Sequence, residues 1–143
     1  MQYKQNKNCY FVYLEKGEPV VDVLTNFCKE HKILNGHISG IGAVNNIELG
    51  AYDSSTKEYI KKTFKETYEL INYQGNIMLL EDSPFIHAHV TIGNHNMEVF
   101  GGHLFNMNIA VVGEFIIQNI DCNSKRTFNA EIGLATWDLT NKE

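Results

Sequence analysis

The sequence predicts an α+β fold, a mainly antiparallel β-sheet with one major N-terminal helix packed on it. Three observations point there. Apolar residues recur at three-and-four spacing only once, early in the chain, and elsewhere short aromatic and β-branched runs predominate. Turn-forming residues separate these runs closely, so connections are short and neighbouring strands run antiparallel. A lone helix must bury its apolar stripe, and a sheet face is the surface available to it.

The first strand is Cys-Tyr-Phe-Val-Tyr-Leu-Glu over residues 9–15, and Lys16-Gly17-Glu18-Pro19 turns the chain and offers a proline at a favoured first helical position. The helix runs from Val20 to about Lys32, with Val20, Val23, Leu24, Phe27 and Cys28 on one face, and Asn35-Gly36 ends it. Strands are then predicted over 38–43, 47–52, 60–72, 76–80, 85–92, 97–100 and 104–120, the last bending at Gly113. Residues 126–140 show no clear period, although Trp137 near Leu139 points to a terminus that packs down.

With 143 residues, 43% hydrophobic content and two prolines, the chain is expected to be one domain over 1–143. Its first eight residues lack the apolar core of a signal peptide, and no run approaches the roughly 18 apolar residues of a membrane span. A cytoplasmic protein without membrane partners is the expectation. Cys9, Cys28 and Cys122 are odd in number and widely spaced, which fits reduced thiols and excludes a structural zinc ribbon. The net charge is −5, and Arg126 is the only arginine beside eleven lysines. Base readout leans on the arginine fork, so a base-reading DNA protein is disfavoured. Lys57, Lys61, Lys62 and Lys65 are interleaved with Glu58, Glu66 and Glu69, the pattern of a solvated edge.

The chemistry lies in Pro84-Phe85-Ile86-His87-Ala88-His89-Val90 and Gly101-Gly102-His103. Alternate side chains of a strand share a face, so His87 and His89 can aim both imidazoles at one point, about 2 Å from each nitrogen in a zinc site. If Asn94-His95-Asn96 is a three-residue loop, Gly93 faces Met97 and His103 comes opposite His87, on the same face. A loop one residue shorter or longer would turn His103 away, unless Gly101-Gly102 supplies a bulge. A single half-buried histidine more simply donates one hydrogen bond, but three at this spacing favour a metal or anion site. The expected metal is zinc or another divalent transition ion, with one position left for water or a small carbonyl compound. His31 sits at the helix end, His95 at a loop tip, and neither they nor His37 belong to this pattern.

Other motifs carry less. Gly40-Ile41-Gly42-Ala43 lacks the third glycine and following helix of a dinucleotide site, so close strand packing or a turn explains it. Ser39, Ser83 and the cysteines lie in no nucleophile signature. The alternating aromatics, from Tyr10 to Phe105, read as core or subunit contacts before base-stacking platforms.

Taken in order, Gly40-Ile41-Gly42-Ala43-Val44, Tyr68-Glu69-Leu70, Gly75-Asn76-Ile77, the His87/His89 strand and Gly101-Gly102-His103-Leu104 resemble the plants-and-prokaryotes-conserved (PPC) domain, in its stand-alone prokaryotic type. The resemblance spans most of the chain. It implies a compact subunit of a homotrimer, a metal on His87, His89 and His103, and a DNA-associated regulatory role. The DNA role belongs mainly to plant relatives with an Arg-Gly-Arg-Pro hook before the domain; this chain has none, so DNA would be held weakly. The resemblance also aligns Glu69 with an acidic position of the family. A carboxylate there can be a fourth metal ligand, a partner of a ligand or a general base, or simply a strand glutamate paired with Lys61 or Lys65. The alternative function is a zinc-dependent enzyme, lyase- or hydrolase-like, in which Glu69 relays a proton to a small-molecule substrate.

Overall fold

The protein is described by a computed structural model over residues 1–140. The final three residues of the predicted domain lie outside the described residues. In chain order the elements are β1 (Gln2–Asn6), β2 (Cys9–Glu15), α1 (Val20–Glu30), β3 (Gly36–Asp53), β4 (Glu58–Phe64), β5 (Tyr68–Leu80), β6 (Ser83–Gly93), β7 (Val99–Asn119), β8 (Lys125–Asn129) and β9 (Leu134–Asp138). Among the described residues all strand pairs are antiparallel except β5 with β8. The predicted α+β class, with a single major helix, therefore holds.

The sheet closes on itself. Strand β7 pairs β3, β3 pairs β5, β5 pairs β6, and β6 pairs back onto β7, while β1 and β2 extend from β7 and β4 from β3. Closure removes most free edges. Helix α1 packs on β6 and β7 and buries Val20, Leu24, Phe27 and Cys28. Each of the larger of these side chains contributes about 1.5–3 kcal/mol on leaving water. They join a core with Leu14, Ile38, Ile47, Tyr73, Ile92, Met107 and Phe115.

Several predicted boundaries shift. Strand β1 was not predicted because all five of its residues are exposed, leaving no alternation to read. The segments 38–43 and 47–52 form one strand, β3, with an irregularity where Asn46 takes φ 48°. The segment 60–72 divides at Lys65-Glu66-Thr67, because β4 pairs the C-terminal half of β3 and β5 its N-terminal half. Strand β5 then runs through Gly75 into 76–80, since an added Cβ there would lie 2.7 Å from Ile38 Cγ2 and glycine lets the backbones close up. The segments 97–100 and 104–120 merge as β7, and its pairing with β3 shifts register next to Gly113, at the predicted bend.

The terminus does not pack down through its aromatic residues. Residues 125–138 form a β8–β9 hairpin in which Trp137 is 48% and Leu139 63% exposed. Among the described residues it is attached to the body by the two-residue parallel pairing of β8 with β5, by the buried side chain of Arg126, and at its turn by the Tyr52 hydroxyl and Lys57 Nζ, which donate to the Ile132 and Ala130 carbonyls.

Candidate metal centre

The β6–β7 hairpin positions the histidines. Gly93 faces Val99, so five residues form the connection where three were predicted, and His103 lies opposite His89 instead of His87. The Asn94 side chain causes the longer loop. Its Oδ1 accepts from the backbone N–H groups of Asn96 and Glu98 at 2.9 and 3.0 Å, its Nδ2 donates to Glu98 Oε2, and Met97 takes the left-handed φ of 63°. Three and five are both odd, so a slide of two residues leaves every side chain on its face.

His87, His89 and His103 therefore converge as predicted. Their ligand atoms all lie within 4.8 Å of one another. Ring centroids are 5.1, 5.0 and 5.5 Å apart for the 87–89, 87–103 and 89–103 pairs. Aromatic contacts fix His103, with Tyr59 4.7 Å and Phe105 4.9 Å from its ring. The packed glycines allow this approach: a Cβ on Gly50 would sit 2.6 Å from Phe105, and one on Gly102 2.9 Å from the Gly50 carbonyl oxygen.

The electrostatics keep two of the rings neutral. Burial, followed by the neighbouring His87, His89, Lys61 and Arg126, holds His103 down to about 4. Burial, then Arg126 and His89, also lowers His87. Neutral imidazole is the form that ligates a metal. Moreover, Nδ1 of His103 is buried with no hydrogen-bond partner among the described residues. An orphaned buried nitrogen costs about 1–3 kcal/mol, and coordination by three imidazoles would relieve the crowding of lone pairs. The residues present thus fit a zinc-type ion.

Glu69 does not belong to this group within one chain. It is exposed, faces Gly93 and Ala43, and lies seven residues along β5 from Asn76, the residue opposite His87. At the strand rise that separation is roughly 20 Å, and even His89, four residues along β6 from the facing Gly93, is roughly 13 Å away. Lys61, one of its suggested partners, pairs instead with Glu48 at 3.3 Å and lies over the Phe105 ring. Among the described residues the lysine-rich β4 pairs with β3 alone, as a solvated edge should.

Three neighbours were not predicted. Arg126, noted in the sequence only as a lone arginine, is 8% exposed and donates from Nη2 to His87 Nδ1 at 3.1 Å. Tyr59 stacks against His103. His37, read as unrelated, hydrogen-bonds Gln74 at 2.8 Å and lines a cavity of about 410 Å³ together with His87 and His89. Only pairing across β5, His37 to Asn76 to His87, brings it there. The glycine motif is strand packing: a Cβ on Gly40 would meet Phe115 at 2.3 Å, and β3 bulges between Gly40 and Gly42. The three cysteines are free, and burial raises Cys28 to about 12, which makes it inert.

The chain is similar to a known family and to several solved structures. The model of the Plants and Prokaryotes Conserved (PCC) domain matches residues 1–121. Similar solved structures include a proposed DNA-binding protein from Bacteroides thetaiotaomicron, 34% identical, covering 98% of both chains with a TM-score of 0.95. A plant- and prokaryote-conserved protein from Pyrococcus horikoshii is 33% identical over 99% of this chain and 97% of its own, TM-score 0.86. A metal-containing protein from Archaeoglobus fulgidus is 33% identical over 95% and 96%, TM-score 0.84. No curated protein matches the chain. A family model spanning most of the sequence, together with relatives of like length and identity above 30%, shows that this chain belongs to the Plants and Prokaryotes Conserved (PCC) domain family.

Proposed function

We propose that this chain is a metal-dependent PCC-domain protein in which His87, His89 and His103 hold one divalent transition ion, zinc by the chemistry of the donors, at a site for a small molecule. One observation carries the reading: three imidazole donors within 4.8 Å of one another on facing strands. The metal-containing relative from Archaeoglobus fulgidus supports it. Bound there, zinc would supply a Lewis acid able to polarise a carbonyl or acidify a water, as a lyase- or hydrolase-like enzyme requires. The chain's own residues supply the rest. Tyr59 and Phe105 hold the His103 ring in place, and the cavity beside His87 and His89 receives the ligand. Glu69 serves as proton relay only from a second subunit, given its distance along β5 within one chain.

Assembly as a homotrimer belongs to the same reading. Phe11, Tyr13, Ile41 and Ile116 are 53%, 40%, 54% and 45% exposed on one face of β2, β7 and β3, an apolar patch of the kind that marks a protein contact. No helix among the described residues is long and apolar enough to cross a membrane.

A DNA-associated regulatory module is the second reading, favoured by the name of the Bacteroides relative. The charge of −5 and the burial of the only arginine predict that any such binding is weak and collapses with salt. Metal content of the purified protein, measured beside His87→Ala and His89→Ala and with a DNA titration at two salt concentrations, separates the readings. Stoichiometric metal in the wild type, lost in both variants, is the expected result. A metal-free wild type that holds DNA at high salt would leave only the second reading.

A further inference from the structure

Arg126 is the single arginine of the chain, and it lies inside beside the histidines. Among the described residues no carboxylate pairs with it. Its Nη1 donates to the Ala135 carbonyl at 2.8 Å, its Nη2 to His87 Nδ1 at 3.1 Å, and its Nε has no acceptor. Nε and Nη2 share one edge of the guanidinium plane. Among the described residues this buried cation has one carbonyl, one imidazole and the Phe85 ring face, 5.4 Å from its Cζ, as partners and no counter-ion, and an arginine edge matches the two oxygens of a carboxylate.

The bond to His87 cannot survive metal loading. A neutral imidazole has one N–H and one lone pair. Accepting from Arg126 places the lone pair on Nδ1 and the proton on Nε2, a tautomer whose Nε2 cannot ligate. If His87 ligates through Nδ1, Arg126 loses its acceptor. If it ligates through Nε2, Nδ1 carries the proton and meets Nη2 donor to donor. Either route releases Nη2 next to the unpartnered Nε.

We propose that Arg126 recognises the ligand of this centre: metal loading frees its guanidinium edge, which then takes the carboxylate of a small molecule. The proposal rests on the metal reading above and names the substrate class for it. A monocarboxylate fits better than a phosphate, because Nη1 is committed to Ala135 and Lys61, the other cation acting on His103, is paired with Glu48. His87, which Arg126 contacts, also lines a cavity of about 410 Å³ with room for the body of such a ligand; Arg126 itself borders that cavity only through His87. Arg126 comes from β8, beyond residue 121 where the family match ends, so the β8–β9 hairpin supplies the recognition to a centre built by the matched strands.

Metal and carboxylate must then favour each other's binding. Calorimetric titration of Zn²⁺ into the full chain, with acetate present, with neutral acetamide in its place and with neither, measures this. Acetate should tighten Zn²⁺ binding at least about fivefold, and acetamide should not. In Arg126→Met, Zn²⁺ alone should bind as tightly as in the wild type or tighter, and the acetate effect should vanish. Arg126→Lys keeps the charge without the fork and should lose most of the effect, which covers a Met variant that fails to fold. Zn²⁺ binding that ignores acetate in the wild type, or an acetate effect that persists in both variants, overturns the proposal and leaves the metal reading standing. A wild type that binds no Zn²⁺ overturns both.

Discussion

At the scale of single residues, burying the histidine cluster costs the fold acid stability. His103 ordinarily titrates near 6.5 and is held at about 4 in the fold, first by burial and then by surrounding positive groups. Between those values the unfolded chain binds a proton that the folded chain refuses, so folding stability rises with pH there and is lost as pH falls from about 6.5 towards 4. The metal-free protein should therefore have a lower urea midpoint at pH 5 than at pH 7, and His103→Gln should flatten that dependence. An unchanged slope in the variant would assign the acid sensitivity to other groups. The histidine trio was legible because alternation along a strand follows from backbone geometry alone. Arg126 was legible only as an oddity of composition, since nothing near it in sequence says that it reaches His87, 39 residues away.

At the scale of elements, glycines set how closely strands approach, and an asparagine sets the register. A Cβ on Gly42 would lie 2.3 Å from the Val112 carbonyl oxygen, which belongs to backbone and cannot rotate aside. Gly42→Ala should cost about 1–3 kcal/mol, read as a lower denaturant midpoint with unchanged slope. Wild-type stability in that variant would mean that β3 and β7 can part there without loss. Asn94→Ala removes the acceptor for two loop N–H groups and should cost about 1 kcal/mol. The helix and the paired histidine strands were legible from period. Strand β1 and the break at Lys65-Glu66-Thr67 were not, because exposed strands carry no burial pattern and the break answers to pairing with distant halves of β3.

At the scale of the whole molecule, the exposed patch of Phe11, Tyr13, Ile41 and Ile116 should be covered by other subunits. Light scattering on the eluting protein should give a trimer for the wild type and a monomer for Ile116→Glu, because a buried unpaired carboxylate is costly. A monomeric wild type would remove the trimer and, with it, any part for Glu69. The sequence by itself determined the fold class, the helix, the family and three histidines on one face, all consequences of local period and motif order. Tertiary structure alone decided that His103 faces His89, that Glu69 stands apart, and that Arg126 and His37 flank the centre. Local pattern cannot encode these, because closure of the sheet and the docking of β8 on β5 bring together residues whose separation along the chain carries no information about their distance in space.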